Sequence, residues 1–157
     1  MYLVPIEFFV TSASAVSRVS DLNAFDKALI EMRIGEQNLV AVSSVIPEGA
    51  KEIGITGIPM GAVTHCVLAQ IRGGGNERIS AGIAYAFRKD GKGGYVAEGR
   101  MHSTKDVLLA SLKDKMEEIA SSRGVELNDI KYVAEELTVP DGEHGACVAA
   151  LVFTRYG

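Results

Sequence analysis

Apolar positions in this chain recur with helical spacing in two stretches and with strand-like runs elsewhere. Tyr2 to Val10 is an apolar run that predicts a strand. Asp21 is placed to cap a helix reaching about Met32, with Leu22, Phe25, Leu29 and Met32 as its apolar stripe. Residues 38–46 are rich in β-formers, and they carry two adjacent serines, Ser43 and Ser44, within the apolar run. Pro47 to Gly49 and Gly54 to Pro59 read as loops. Strands are predicted at about 63–71 and 79–88, separated by a turn at Gly73-Gly74-Gly75-Asn76. A second turn, Asp90 to Gly94, leads into a short strand from Tyr95 to Glu98. Ser103 is placed to cap a long helix, with Asp106 at capping-box spacing. Its stripe is Val107, Leu108, Leu112, Met116, Ile119 and Ala120, and Arg123-Gly124 ends it. Strands at about 129–138 and 146–156 close the chain. The order predicts an α+β fold with helices covering sheet faces. No repeat or linker divides it, so residues 1–157 read as a single domain.

Composition narrows the class. Apolar residues make up 47% and charged residues 23%, as in soluble globular proteins. The net charge is -4 and no basic run stands out, so a nucleic-acid partner is disfavoured. No apolar stretch is long enough to span a bilayer, and the first ten residues lack a basic leader, so a cytoplasmic location is expected. The two cysteines, Cys66 and Cys147, are expected as buried thiols. His65, His102 and His144 lack metal-ligand spacing, so no metal site is expected.

The chemistry centres on the serine pair. Ser44 Oγ could attack the Ser43 carbonyl, and elimination would then convert Ser44 into a pyruvoyl group. Such a bond needs a stabilised oxyanion and an enclosed, strained setting. The alternative is an ordinary pair of strand-end serines. Asp26 follows Leu22 by four residues and precedes Leu29 by three, which places a carboxylate along the apolar stripe. It is either an anchor for a guanidinium or a solvated residue at the stripe's edge near Lys27 or Lys51. Glu98 shares a strand face with Val96. In apolar surroundings a Glu can hold a proton near neutral pH as a general acid; otherwise it is an exposed residue beside Arg100. The Asn38 amide could donate to an oxyanion, or Asn38 could simply enter the strand.

Taken in order, these residues resemble the pyruvoyl-dependent arginine decarboxylases over most of the chain. The marks are Leu22-Asn23-Ala24-Phe25-Asp26, Gly35, Asn38-Leu39, Ser43-Ser44-Val45-Ile46-Pro47, Pro59-Met60-Gly61-Ala62, Ile79-Ser80-Ala81, Ala97-Glu98, and Arg123-Gly124 with Glu126-Leu127. The N-terminus and residues 99–103 depart from the family pattern. The resemblance implies a four-layer αββα sandwich, self-cleaved between Ser43 and Ser44 into a β chain of 1–43 and an α chain of 44–157. It implies a covalent pyruvoyl cofactor from Ser44, and a homotrimer of αβ units with sites between subunits. Pairing of trimers is left open.

By the same resemblance, Asp26 binds the guanidinium, while Leu22 and Leu29 flank the substrate and Ser43 borders it. Asn38 serves processing and the active site, and Glu98 is the proton donor. The implied reaction turns L-arginine into agmatine and CO2 through a Schiff base, which points to polyamine synthesis. Two other readings stay open: a pyruvoyl decarboxylase for another amino acid, and an uncleaved, non-catalytic oligomeric binding protein with the same fold.

Overall fold

The computed structural model describes every residue from Met1 to Gly157. Its elements are β1 (Pro5–Ser17), α1 (Asp21–Glu31), β2 (Asn38–Ala41), β3 (Val45–Ile46), β4 (Lys51–Glu52), β5 (Val63–Gly74), β6 (Arg78–Phe87), β7 (Gly94–Met101), α2 (Lys105–Arg123), β8 (Lys131–Thr138) and β9 (His144–Tyr156). The fold is mixed α+β, mostly sheet with two helices. No helix is long and apolar enough to cross a membrane.

The strands form two sheets, ordered β2-β5-β9-β1-β4 and β3-β7-β6-β8. Alternation along each strand decides which side chains meet. On one face of the first sheet, Phe8, Val67, Leu151 and Phe153 meet Ile79, Ile83, Tyr85 and Val96 of the second. The opposite face of the first sheet presents Phe9, Cys66, Val148, Ala150 and Val152 to Ala24, Ala28, Leu29 and Met32 of α1. On the outer face of the second sheet, Ala84, Ala86, Ala97 and Ala134 receive Leu108, Leu112 and Met116 of α2. Small alanines on that face leave room for the longer helix side chains. Each fully buried Leu, Met or Phe contributes about 1.5–3 kcal/mol through lost apolar exposure.

Several boundaries move relative to the pattern. β1 runs to Ser17 because Thr11–Ser17 pairs with His144–Ala150 of β9, although Ser-Ala alternation carries little apolar signal. The cap of α1 is Ser20, whose side chain accepts from the Asn23 N–H; Asp21 is the first helical residue. Similarly, Thr104 caps α2 by accepting from the Val107 N–H, so Ser103 and Asp106 do not form a capping box. Gly124 ends α2 in the left-handed region, as expected. The stripe of α1 is set by Ala24, Ala28, Leu29 and Met32, and Leu22 is 60% exposed. Val107 lies outside the α2 stripe for the same reason, being 51% exposed. Cys66 and Cys147 are free and buried.

Candidate active site

The predicted strand over 38–46 is two strands in different sheets. β2 runs parallel to β5, with Val40 opposite His65 and Ala41 opposite Cys66. The Val42 N–H still donates to the Cys66 carbonyl at 2.9 Å. The chain then leaves this sheet. The Ser44 carbonyl accepts from the Val96 N–H at 2.9 Å, and β3 continues the second sheet against β7. Ser43 and Ser44 therefore occupy the crossing between two sheet edges, not the interior of a buried strand. Ser43 is exposed and Ser44 half-buried. The Ser43 carbonyl takes no backbone hydrogen bond, while the groups on both sides of the pair are held.

A cleft of about 320 Å³ opens beside this crossing. Ser43 and Ser44 line it together with Leu3, Val45, His65 and Tyr156. His65 Nδ1 is hydrogen-bonded to Tyr156 Oη, and their rings meet edge to face at 5.7 Å. Burial pushes the Tyr156 phenol above its ordinary range, against an opposing hydrogen bond from the His65 backbone. Sequence reasoning singled out neither residue in this role. They lie 91 positions apart in the sequence. Between Phe8 and Glu7, one step on β1 spans two steps on β9, from Phe153 to Arg155. A second shift of opposite sense, between Glu7 and Pro5, restores the register, with Pro5 opposite Tyr156. Arg155 meets Glu7 at 3.7 Å in this irregular stretch, and Tyr156 lines the cleft with Phe153.

The remaining candidates are distributed around this crossing. Glu98 lies two residues beyond Val96 on β7, opposite Ile83, so it shares the face turned toward the first sheet. It is exposed, at the mouth of a second cleft with Ala41, Gln70, Arg100 and Lys115. Its own carbonyl accepts from Lys115 Nζ at 3.0 Å. The apolar enclosure expected around Glu98 is thus not provided by this single chain. Asn38 does not reach the serines: its side-chain amide donates to the Gly61 carbonyl at 2.9 Å, and its N–H donates to Ala62 at 3.0 Å. It clamps the Pro59–Ala62 loop to the start of β2.

Asp26 and Leu22 are exposed on α1, whereas Leu29 is buried against the first sheet. That sheet stands between α1 and the inter-sheet core, and none of these three residues lines the serine cleft. Lys27 turns back toward β1, with Nζ 3.4 Å from the Val16 carbonyl, so it does not crowd Asp26. Within one chain, the structure brings Ser43, Ser44, His65 and Tyr156 together, ties Glu98 to them through Val96, and leaves Asp26 apart.

The model of the family described as pyruvoyl-dependent arginine decarboxylase matches residues 7–157. This chain belongs to that family. It is 36% identical over 148 residues to the pyruvoyl-dependent arginine decarboxylase of Pyrococcus abyssi, covering 92% of each chain. The enzyme of the same name from Thermococcus kodakarensis is 32% identical over 157 residues, with 99% of each chain covered. The one from Methanopyrus kandleri is 33% identical over 150 residues, covering 96% of this chain and 97% of its own. Membership of the pyruvoyl-dependent arginine decarboxylase family implies a covalent pyruvoyl group, and the serine crossing fits its formation. A small side chain at Ser43, a carbonyl free of backbone partners and an adjoining cleft leave the bond open to attack.

Proposed function

We propose that this chain decarboxylates L-arginine to agmatine and CO2, with a pyruvoyl group derived from Ser44 after self-cleavage of the Ser43–Ser44 bond. The observation that carries the reading is the placement of that bond. It sits at the crossing between two sheet edges beside a 320 Å³ cleft, in a chain matched to the family from residue 7 to residue 157. Cleavage gives a β chain of 1–43 and an α chain of 44–157.

When formed, the pyruvoyl group supplies a carbonyl that draws electrons from the amino-acid α-carbon. The chain's own residues supply the rest. The hydrogen bond from Val96 N–H to the residue 44 carbonyl fixes the position of the new N-terminus. Ser43, as the new C-terminus, borders the cleft. Glu98, two residues along the same strand, is the proton donor to the α-carbon. Asn38 holds the Pro59–Ala62 loop against β2 and so sets the path of the chain into the crossing.

Asp26 pairs with the guanidinium, whose planar fork a lysine ammonium cannot reproduce. Leu22 flanks the aliphatic part of the substrate; Leu29, expected to flank it as well, is buried against the first sheet. These α1 residues come from a neighbouring copy in a homotrimer of αβ units. The exposure of Asp26 and Leu22, on the far side of the sheet from the serine cleft, supports a site shared between copies. The three apolar clusters, helix on sheet, sheet on sheet and sheet on helix, support a four-layer αββα sandwich. A cytoplasmic enzyme of polyamine synthesis is the setting this reading implies.

Intact mass of purified protein tests it directly. The wild type should give two chains split between residues 43 and 44, and Ser44→Ala should give one full-length chain. CO2 should be released from arginine by the wild type and not by Ser44→Ala. Two chains from Ser44→Ala, or release from lysine as fast as from arginine, would sink the reading.

A further inference from the structure

We propose that His65, oriented by Tyr156, is the proton acceptor that drives cleavage at Ser43–Ser44. The inference rests on the self-cleavage reading above and adds the group that moves the protons. His65 and Tyr156 line the same cleft as both serines. β2 places Val40 opposite His65, so the crossing begins within three residues of the imidazole's partner position. Tyr156 lies opposite Pro5, just past the two opposite register shifts between β1 and β9 that flank Glu7. There its hydroxyl meets the His65 imidazole. When Nδ1–H donates to Tyr156 Oη, Nε2 is left as the basic atom. Within one chain, Glu98 and Lys115 lie in the other cleft and Asp26 is across the sheet, so His65 is the one imidazole and no carboxylate lines the serine cleft.

The protons balance through one imidazole. Ser44 Oγ gives its proton to His65 Nε2 as it bonds to the Ser43 carbonyl carbon. The peptide C–N bond breaks, and the same proton passes to the residue 44 nitrogen, leaving an ester and a free amine. The imidazole next takes the residue 44 Cα proton. That electron pair forms the Cα–Cβ double bond, the Cβ–Oγ bond breaks, and Ser43 leaves as a carboxylate. The proton returns to Cβ as the enamine becomes an imine. Water then replaces the nitrogen, releasing ammonia and leaving the pyruvoyl group.

The test follows cleavage of freshly made full-length protein on denaturing gels, a readout independent of decarboxylase activity. His65→Ala should slow cleavage by about 10²–10⁴-fold, the range for loss of a positioned proton acceptor. Added imidazole should restore part of the rate. Tyr156→Phe keeps the ring contact and removes the hydroxyl, and it should slow cleavage less than His65→Ala. His65→Gln keeps most of the volume but cannot take up a proton, so it serves as the second variant if His65→Ala is unstable. Cleavage of His65→Gln at the wild-type rate, or a slowed His65→Ala that imidazole does not accelerate, would overturn the inference alone. An uncut wild type would overturn the self-cleavage reading and this inference with it.

Discussion

Glu98 shows how one side chain depends on its strand. Strand alternation places it on the face of Val96, and Val96 holds the residue 44 carbonyl. If Glu98 delivers the proton to the α-carbon, Glu98→Gln should leave cleavage intact while kcat falls by about 10²–10⁴-fold. Gel analysis and CO2 release measure the two effects separately. The cysteines give a prediction with a definite sign. Burial raises Cys66 to about 11. Burial, with Glu135 and Glu136 nearby, raises Cys147 to about 12. Both native values lie above the unfolded value near 9.0, so the unfolded chain releases protons first as pH rises. Their contribution to stability is complete below about pH 9 and is lost as pH rises through about 11 and 12. Urea midpoints should fall over that window, and less steeply for a Cys66→Ala, Cys147→Ala double variant. Native protein should also resist thiol alkylation at pH 8, whereas the urea-unfolded chain labels at both sites. Burial of these two thiols was legible in the sequence, because cysteine behaves as a small apolar residue. The environment of Glu98 was not, because period-two patterning gives the face of a residue but not its distance from an open sheet edge.

At the level of elements, the helices were read well and the serine segment was not. Leu108, Leu112 and Met116 mark α2 through spacing alone. Residues 38–46 mislead because both halves are β-rich, and nothing local says that Val42 bonds to one sheet and Ser44 to the other. That information resides in partners remote in sequence, Cys66 and Val96. The same holds for His65 and Tyr156, which meet although they lie 91 positions apart. The seating of β3 depends on another remote residue. Gly93 has φ +90°, and a Cβ there would lie 2.5 Å from the Ile46 carbonyl oxygen and 3.2 Å from the Glu48 nitrogen. Gly93→Ala should therefore push β3 away from β7 and lower stability by about 1–3 kcal/mol through backbone strain alone. It should also slow self-cleavage, since β3 begins one residue after Ser44. Thermal melting and the gel assay check this; an unchanged cleavage rate would separate β3 seating from processing.

For the whole molecule, the separation of α1 from the serine cleft makes assembly testable by mixing. Asp26→Asn should raise the arginine KM by at least about tenfold, since a charged hydrogen-bonding partner is lost. Ser44→Ala should be inactive. If each site takes Asp26 from one copy and Ser44 from the next, co-expression of the two variants should recover a fraction of sites with the wild-type KM. Kinetics of the mixed assembly measure that fraction. Recovery would not occur if both residues served the same site within one chain. The family could be read from sequence because its marks are contiguous short segments. Whether a site is shared between copies is invisible to any single-chain pattern.

The position of β1 carries one more consequence. It is flanked by β9 on one side and β4 on the other, and β2 pairs with β5 at the sheet's edge, so both strands of residues 1–43 belong to a sheet otherwise built from downstream residues. Phe8 and Phe9, both fully buried, anchor this piece on opposite faces of that sheet. A cut after Ser43 thus removes a covalent link without releasing a fragment. The uncut precursor folds as one connected chain, but a matured protein that is fully unfolded must find its lost strand by collision. If the Ser43–Ser44 bond is cut as proposed, maturation turns a unimolecular folding problem into a bimolecular one.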